Sequence, residues 1–192
     1  MTDYKAILLA AGNGSRFDPL GIRNKLLQTL PDGCAVAVAS AASLLAVMPQ
    51  VLAVVRPDAH QLSAELQAIG CEVTTCIHAA DGMGASLAHA VQQSMNAAGW
   101  IVALADMPYL KPSTISALLD ALRAGADIAA PMHDGRRGNP VAFSRAHLPD
   151  LLRLTGDAGA RSLLQYYPVQ LVEVDDPGIH LDIDRPQDLL FH

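Results

Sequence analysis

The sequence is poor in aromatic residues, cysteines and long apolar runs, and each scarcity closes off a class of function. Phe, Trp and Tyr make up 4% of the 192 residues, too few for a surface that stacks nucleic-acid bases. With 13 Lys and Arg against 19 Asp and Glu, the net charge is −6, and no basic run is present to follow a nucleic-acid backbone. Cys34, Cys71 and Cys76 are odd in number and contain no C-x-x-C, which argues against a disulfide framework or a zinc site and for small buried hydrophobes. No apolar stretch approaches the roughly 18 to 20 residues of a membrane span, and the N-terminus lacks the basic flank and small-residue cleavage site of a secretory leader. The expectation is a cytoplasmic protein with no membrane or nucleic-acid partner. What the chain does have is hydrophobic residues, 51% of the total, enough for one well-cored domain over residues 1–192 and too few for two ordinary ones.

The most informative stretch runs from Lys5 to Lys25. Ala6 to Ala10 is an uninterrupted apolar run, as in a strand covered on both faces of a mostly parallel sheet. Gly12 and Gly14 follow at once. Glycines there permit positive φ and let main-chain N–H groups approach phosphate oxygens with no Cβ in the way. Arg16, Arg23 and Lys25 fall within ten residues that hold one acid, Asp18, a local reversal of sign that points to an anionic ligand. A single Gly-x-Gly also occurs in ordinary strand-to-helix turns. It is not the dinucleotide fingerprint, because Phe17 takes the place of the third glycine, and no G-K-[ST] of a Walker loop follows.

LAAGNGSRF with a lysine downstream is similar to the opening signature of the nucleotidyltransferases of the molybdenum-cofactor type. Four further stretches occur in that family's order: GMGASL at 82–87, ALADMP at 103–108, RRGNPVAF at 136–143 and DIDRPQDL at 182–189. The resemblance spans Leu9 to Leu189, and LAAG, GMGASL and DIDxPxDL look most like the family's cytidylyl-transferring branch. Two departures stand out: Arg16 and Lys25 lie further apart than is commonest there, and Asn139 sits where a His is common.

The resemblance implies a three-layer α/β/α, Rossmann-like fold with a mostly parallel sheet of the GT-A-like nucleotidyltransferase type. It implies nucleotide contacts from Leu9, Ala10, Ala11, Gly12, Gly14 and Ser15, and from a second loop with Gly82, Met83, Gly84 and Ser86. Arg16 and Lys25 would be catalytic, Arg136, Arg137 and Asn139 would meet the acceptor, and Asp106 and Asp182 would hold Mg²⁺, with Mn²⁺ as the alternative ion. The implied substrates are a nucleoside triphosphate, most simply CTP, and a phosphorylated small molecule such as molybdenum-bound molybdopterin. Passing contact with a molybdoenzyme or its chaperone is implied as well.

Read along the chain, helices are expected over 35–47, from a cap at Asp58 to Ile69, over 87–96 and over 113–123, with strands at 51–55, 71–77, 100–104, 128–131, 141–143 and 170–174. Alternation of strand and helix implies parallel crossovers. The 82–86 segment reads either as a turn with Ser86 as helix N-cap or as a second ligand loop, and His89 is given no catalytic part. Asp106 stands just past a strand's C-terminal end, where α/β sheets gather their ligands, either as a metal ligand or as the cap of the turn before Met107. Arg136 and Arg137 are either a solvated surface pair or a phosphate contact.

Helices are also expected over 145–154 and 158–166, with Asp157 as a cap and as the i, i+4 partner of Arg161. Asp184 and Gln187 have capping-box spacing, and Asp188 falls in the following first turn. Asp182 has no helix end to satisfy, and with the family's pattern at this position it is preferred over Asp184 as metal ligand.

A phosphate monoester has its second pKa near about 6, so such an acceptor is already largely dianionic at neutral pH, and no Ser-His or Cys-His nucleophile is required. Guanylyl or sugar-phosphate transfer, glycosyl transfer from a sugar nucleotide, and a non-catalytic cofactor carrier or chaperone are the competing readings.

Overall fold

The computed structural model describes residues 3–20, 22–157 and 159–190. Its sheet contains β1 (Lys5–Leu9), β2 (Val51–Val55), β3 (Glu72–Thr75), β4 (Gly99–Leu104), β5 (Ile128–His133), β6 (Arg136–Arg137), β7 (Val141–Ser144) and β8 (Gln170–Glu173). The spatial order is β3-β2-β1-β4-β7-β5-β6, with β8 paired to β5. β1, β2, β3 and β4 are joined by parallel ladders, as are β5 and β8. β7 runs antiparallel to both β4 and β5.

Among the described residues six α-helices flank this sheet: α1 (Val36–Leu45), α2 (His60–Ala68), α3 (Met83–Gln93), α4 (Pro112–Arg123), α5 (Leu148–Leu152) and α6 (Leu163–Tyr166). Successive side chains of a strand point to opposite faces, so each central strand feeds two cores. Ala6, Leu8, Ala53 and Ile101 pack with Leu44 of α1, Leu62 and Leu66 of α2, and Ile115 and Leu118 of α4. Ile7, Val54, Trp100, Val102 and Phe143 face the other way, against Leu87 and Val91 of α3, Leu151 of α5 and Leu163 of α6. The result is three layers, α/β/α. The one indole is fully buried and donates its N–H to Ser94 Oγ at 2.9 Å, so no polar group is stranded by that burial.

Several local expectations are corrected. α3 begins at Met83, straight after Gly82 at φ 111°, so Ser86 lies buried inside the helix and caps nothing. The N-cap of α2 is Ala59, and Asp58 instead lies 3.5 Å from Arg56 Nε. The two helices expected over 145–166 are shorter pieces: a 3-10 turn at Arg145–His147, α5, a 3-10 turn at Gly159–Arg161, and α6. Ala158, the expected first residue of the second, lies outside the described residues. Cys71 and Cys76 are buried as small hydrophobes, whereas Cys34 is half-buried.

Two features carry the chain to one edge of the sheet. Leu9 and Leu104 are register partners at the C-terminal ends of β1 and β4, so the glycine loop and Asp106 leave the sheet side by side. Because β7 runs backwards, its first residue, Val141, lies beside Val102 near the same edge and brings the preceding loop with it.

A C-terminal strap then crosses this edge. The buried Asp176 carboxylate accepts hydrogen bonds from Lys111 N (2.9 Å), Thr114 Oγ1 (2.6 Å) and Gly178 N (2.9 Å). Beyond it, Ile179 and Ile183 plug into the core, and Ile183 N donates to the Asp106 carbonyl at 2.8 Å. With Ile183 turned inward, Asp182 and Asp184 on either side of it turn outward beside Asp106.

Candidate active site

The loop after β1 is shaped from within. Gly14 has φ 61°, a left-handed conformation that an L side chain adopts at a cost, and its carbonyl accepts the N–H groups of Phe17 and Asp18. Gly12 is different. A Cβ there would meet nothing within 4 Å, so its open side belongs to the cavity, not to the packing of the protein. Asp18, the lone acid of this basic stretch, is buried and accepts from Arg23 N at 2.7 Å and Leu20 N at 3.1 Å. The Arg23 bond, ahead of the other backbone bonds, holds its carboxyl below the ordinary carboxylate range. Asp18 is therefore a turn builder. Arg23 lies over the Phe17 ring, 5.6 Å from its centroid, and leaves the cavity to Arg16 and Lys25. Asn24 accepts from Leu26 N at 3.0 Å, capping the short turn that presents Lys25.

Opposite this loop stands an acidic cluster. Asp106, Asp182 and Asp184 each offer a carboxylate oxygen, all within 4.8 Å of one another. Lys25 Nζ donates to Asp106 Oδ2 at 2.6 Å and to Asp184 Oδ1 at 3.4 Å, and Arg16 donates to the second oxygen of Asp184. Asp106 Oδ1 is buried without a hydrogen-bond partner. A buried carboxylate oxygen left bare is costly, and a hard cation coordinated by oxygen is what such an atom fits. Asp182 is exposed as a residue, yet loss of water around its carboxyl in the cavity, followed by the like charges of Asp184 and Asp106, pushes that carboxyl up.

The capping-box reading of Asp184 is overturned. The N–H groups of Asp184 and Arg185 go to the Asp188 carboxylate at 2.9 and 2.6 Å, and the side chain of Asp184 belongs to the charged cluster. Nothing in the local pattern separates these two uses of an Asp, because its partners lie 159 and 168 residues away.

The second glycine segment has a packing role that spacing does not reveal. An added Cβ at Gly82 would lie 2.3 Å from Gly156 C, and one at Gly84 would lie 2.6 Å from Thr155 O. Gly84 N also donates to Gly156 O at 2.8 Å. The start of α3 and the Thr155-Gly156 segment are thus interlocked, and the pair forms one wall of the cavity. Asp157 and Arg161 line that wall, and among the described residues no ion pair joins them. His89 lies outside the cavity, its Nε2 2.8 Å from Thr74 Oγ1.

A cavity of about 880 Å³ collects these parts. Of the residues expected from sequence, Leu9, Ala11, Gly12, Gly14, Ser15, Arg16, Lys25, Gly82, Met83, Ser86, Asp106, Arg136, Arg137, Asn139 and Asp182 line it. Ala10 and Gly84 do not: Ala10 packs into the core and Gly84 against Thr155. Ala11 lines the cavity while also packing into the second core. Arg136 and Arg137 are exposed on β6. Gly138 packs against Ile179, and Asn139 N donates to Ile179 O at 3.1 Å, so the strap fastens this loop too. Among the described lining residues are five Lys or Arg and four Asp, in a protein of net charge −6. That mixture suits a polyanion accompanied by a cation.

Comparison with known proteins agrees with this architecture. The chain is 36% identical over 118 residues to the purine catabolism protein PucB of Bacillus subtilis; the match covers 59% of this chain and 57% of that relative, so it spans just over half the relative's length. Rv0371c of Mycobacterium tuberculosis superposes with a TM-score of 0.83 at 26% identity over 97% of this chain and 95% of the other, and its manganese complex with 0.78 at 25% over 97% and 96%. A nucleotidyl transferase from Methanothermobacter shares the fold, with a TM-score of 0.81 at 24% identity over 98% and 94%. Residues 6–174 match the family described as MobA-like NTP transferase domain. A glycine loop with two cations, facing a carboxylate cluster at the C-terminal edge of such a sheet, accords with membership of the MobA-like NTP transferase family, a family of nucleotidyltransferases, and it is to this family that the chain belongs.

Proposed function

We propose that the protein transfers CMP from CTP to a phosphorylated acceptor, molybdenum-bound molybdopterin, and releases pyrophosphate. The observation that carries the reading is the cluster at the ends of β1 and β4: Arg16 and Lys25 face three carboxylates, one of which keeps a buried, unpaired oxygen. Arg16 and Lys25 neutralise the β- and γ-phosphates, and the open side of Gly12 lets the backbone approach them. An acceptor phosphate oxygen forms the new bond to the α-phosphorus as the bond to the bridging oxygen breaks, and the electron pair leaves with pyrophosphate. Arg136, Arg137 and Asn139 hold the acceptor's phosphate in line.

Asp106 and Asp182 would hold a magnesium ion, with manganese, the ion bound in the Mycobacterium tuberculosis relative, as the alternative; the ion would offset negative charge gathering at the reacting phosphate. The product is itself a cofactor, so handing it on calls for contact with a receiving molybdoenzyme or its chaperone.

The deciding experiment mixes the protein and Mg²⁺ with CTP or GTP and a molybdopterin-type acceptor and follows pyrophosphate. CTP should outpace GTP. A faster reaction with GTP would move the assignment to guanylyl transfer, and pterin binding without pyrophosphate from any triphosphate would make the protein a carrier.

A further inference from the structure

We infer that Lys25 and Arg16 are resident counter-ions of the metal carboxylates, so that the divalent cation and the triphosphate fill the site as a coupled pair, each opening it for the other. The inference rests on the nucleotidyl-transfer reading for the identity of the anion, but its test does not depend on turnover.

The carboxylate oxygens are unequally available. Asp184 is fully committed, with Oδ1 facing Lys25 Nζ at 3.4 Å and its other oxygen bonded by Arg16. Asp106 is half committed, its Oδ2 held by Lys25 at 2.6 Å and its Oδ1 bare. Asp182 has no ion pair among the described residues. A divalent ion arriving alone therefore finds Asp182 and one oxygen of Asp106, and it must share Asp106 with the lysine ammonium.

Burial sharpens the conflict. The side chains of Lys25, Asp106 and Asp184 are 11%, 19% and 26% exposed, so water screens their charges poorly. Three carboxylates against two cations leave a local charge of minus one, and a divalent ion added to that set reverses the sign. A triphosphate removes the obstacle, because its oxygens are better acceptors for both cations than a shared carboxylate is. Once Arg16 and Lys25 turn to it, Asp184 is released and three oxygen donors face the ion. By linkage, the ion improves triphosphate binding by the same factor. In this arrangement the two cations have carboxylate partners before binding and phosphate partners after, and the site is never left as three bare acids.

The test is Mn²⁺ titration of nucleotide-free protein, with free Mn²⁺ read by electron paramagnetic resonance. The wild type should bind weakly. Lys25→Met should bind about fivefold or more tightly than wild type, although it removes a residue of the active site. Arg16→Met frees one Asp184 oxygen and should shift affinity in the same direction by less. Its side chain is 75% exposed, so this variant keeps the comparison open should Lys25→Met fail to fold. Adding Asp106→Asn to either variant should abolish the gain and assign the ion to this cluster. Unchanged or weaker Mn²⁺ binding in the folded variants would overturn the inference. Tighter binding in a protein that releases no pyrophosphate would leave the counter-ion exchange standing and remove the functional reading alone.

Discussion

Asp182 and Asp184 flank one residue and do different work. Asp184 is tied to two cations, whereas Asp182 faces two like charges; although the residue as a whole is exposed, loss of water around its carboxyl in the cavity first, and those charges second, push that carboxyl above the ordinary value of 3.8. The folded protein binds that proton more tightly than the unfolded chain does. Stability therefore declines as pH rises from the ordinary value through the raised one. Asp182→Asn should raise the metal-free melting temperature at neutral pH, the gain should fade as pH drops below that window, and Mn²⁺ binding should be lost; differential scanning calorimetry across pH with and without Mn²⁺ checks all three.

Arg16→Ala should slow turnover on the order of a hundredfold with little change in melting temperature, since its side chain is largely exposed and its proposed task lies with the departing pyrophosphate. Ala11 is 5% exposed, so its methyl belongs to the core as much as to the cavity. One methyl in a pocket decides about 1 to 3 kcal/mol, and Ala11→Gly should narrow a CTP preference without inverting it, as competitive turnover with GTP would show.

At the scale of elements, the glycines of GMGAS are fixed by their neighbours. Gly84→Ala would place a Cβ 2.6 to 2.9 Å from the Thr155 backbone, and overpacking of this kind costs about 1 to 3 kcal/mol. Denaturant melts should show that loss, and the KM for triphosphate should rise because the displaced wall lines the cavity.

This is also the scale at which the sequence was only partly legible. Val51–Val55 and the stripe of Ile115, Leu118, Leu119 and Leu122 declared themselves through continuous burial and three-and-four spacing. The direction of β7 did not, because Val141-Ala142-Phe143 reads the same against either neighbour, and direction is set by the loop that turns the chain. Arg16 and Lys25 stand out as cations gathered behind a glycine loop in an acidic chain, and Asp106 because it sits just beyond the end of β4. Asp184 was misread because a capping pattern and a long-range ion pair use the same residue. Asp157 and Arg161 have helix-pair spacing, but Arg161 belongs to a short 3-10 turn, Asp157 precedes it, and both line the cavity.

Across the whole molecule, the first and last parts of the chain meet at the site, and Asp176 is the fastening. Its carboxylate satisfies three donors while buried, so Asp176→Ala should cost on the order of 3 kcal/mol in a chemical melt. Mn²⁺ affinity should fall with it, although Asp176 is not part of the acidic cluster, because the strap that aims Asp182 and Asp184 loses its anchor; a titration run well below the melting temperature separates this effect from unfolding.

That fastening also sets a sequence of events during synthesis. β1 through β4 leave the ribosome and can pair while Asp182 and Asp184 are still to be made, and the ion pairs from Lys25 and Arg16 to Asp184 must close across 159 and 168 residues. Until they do, the two cations of the loop after β1 lack Asp184, and a partly translated protein presents a basic loop with Asp106 as its only acid from the cluster. An anion that meets the loop at that stage faces two cations and a single carboxylate of the cluster, so the charge at this edge of the sheet changes as residues 182–184 are added.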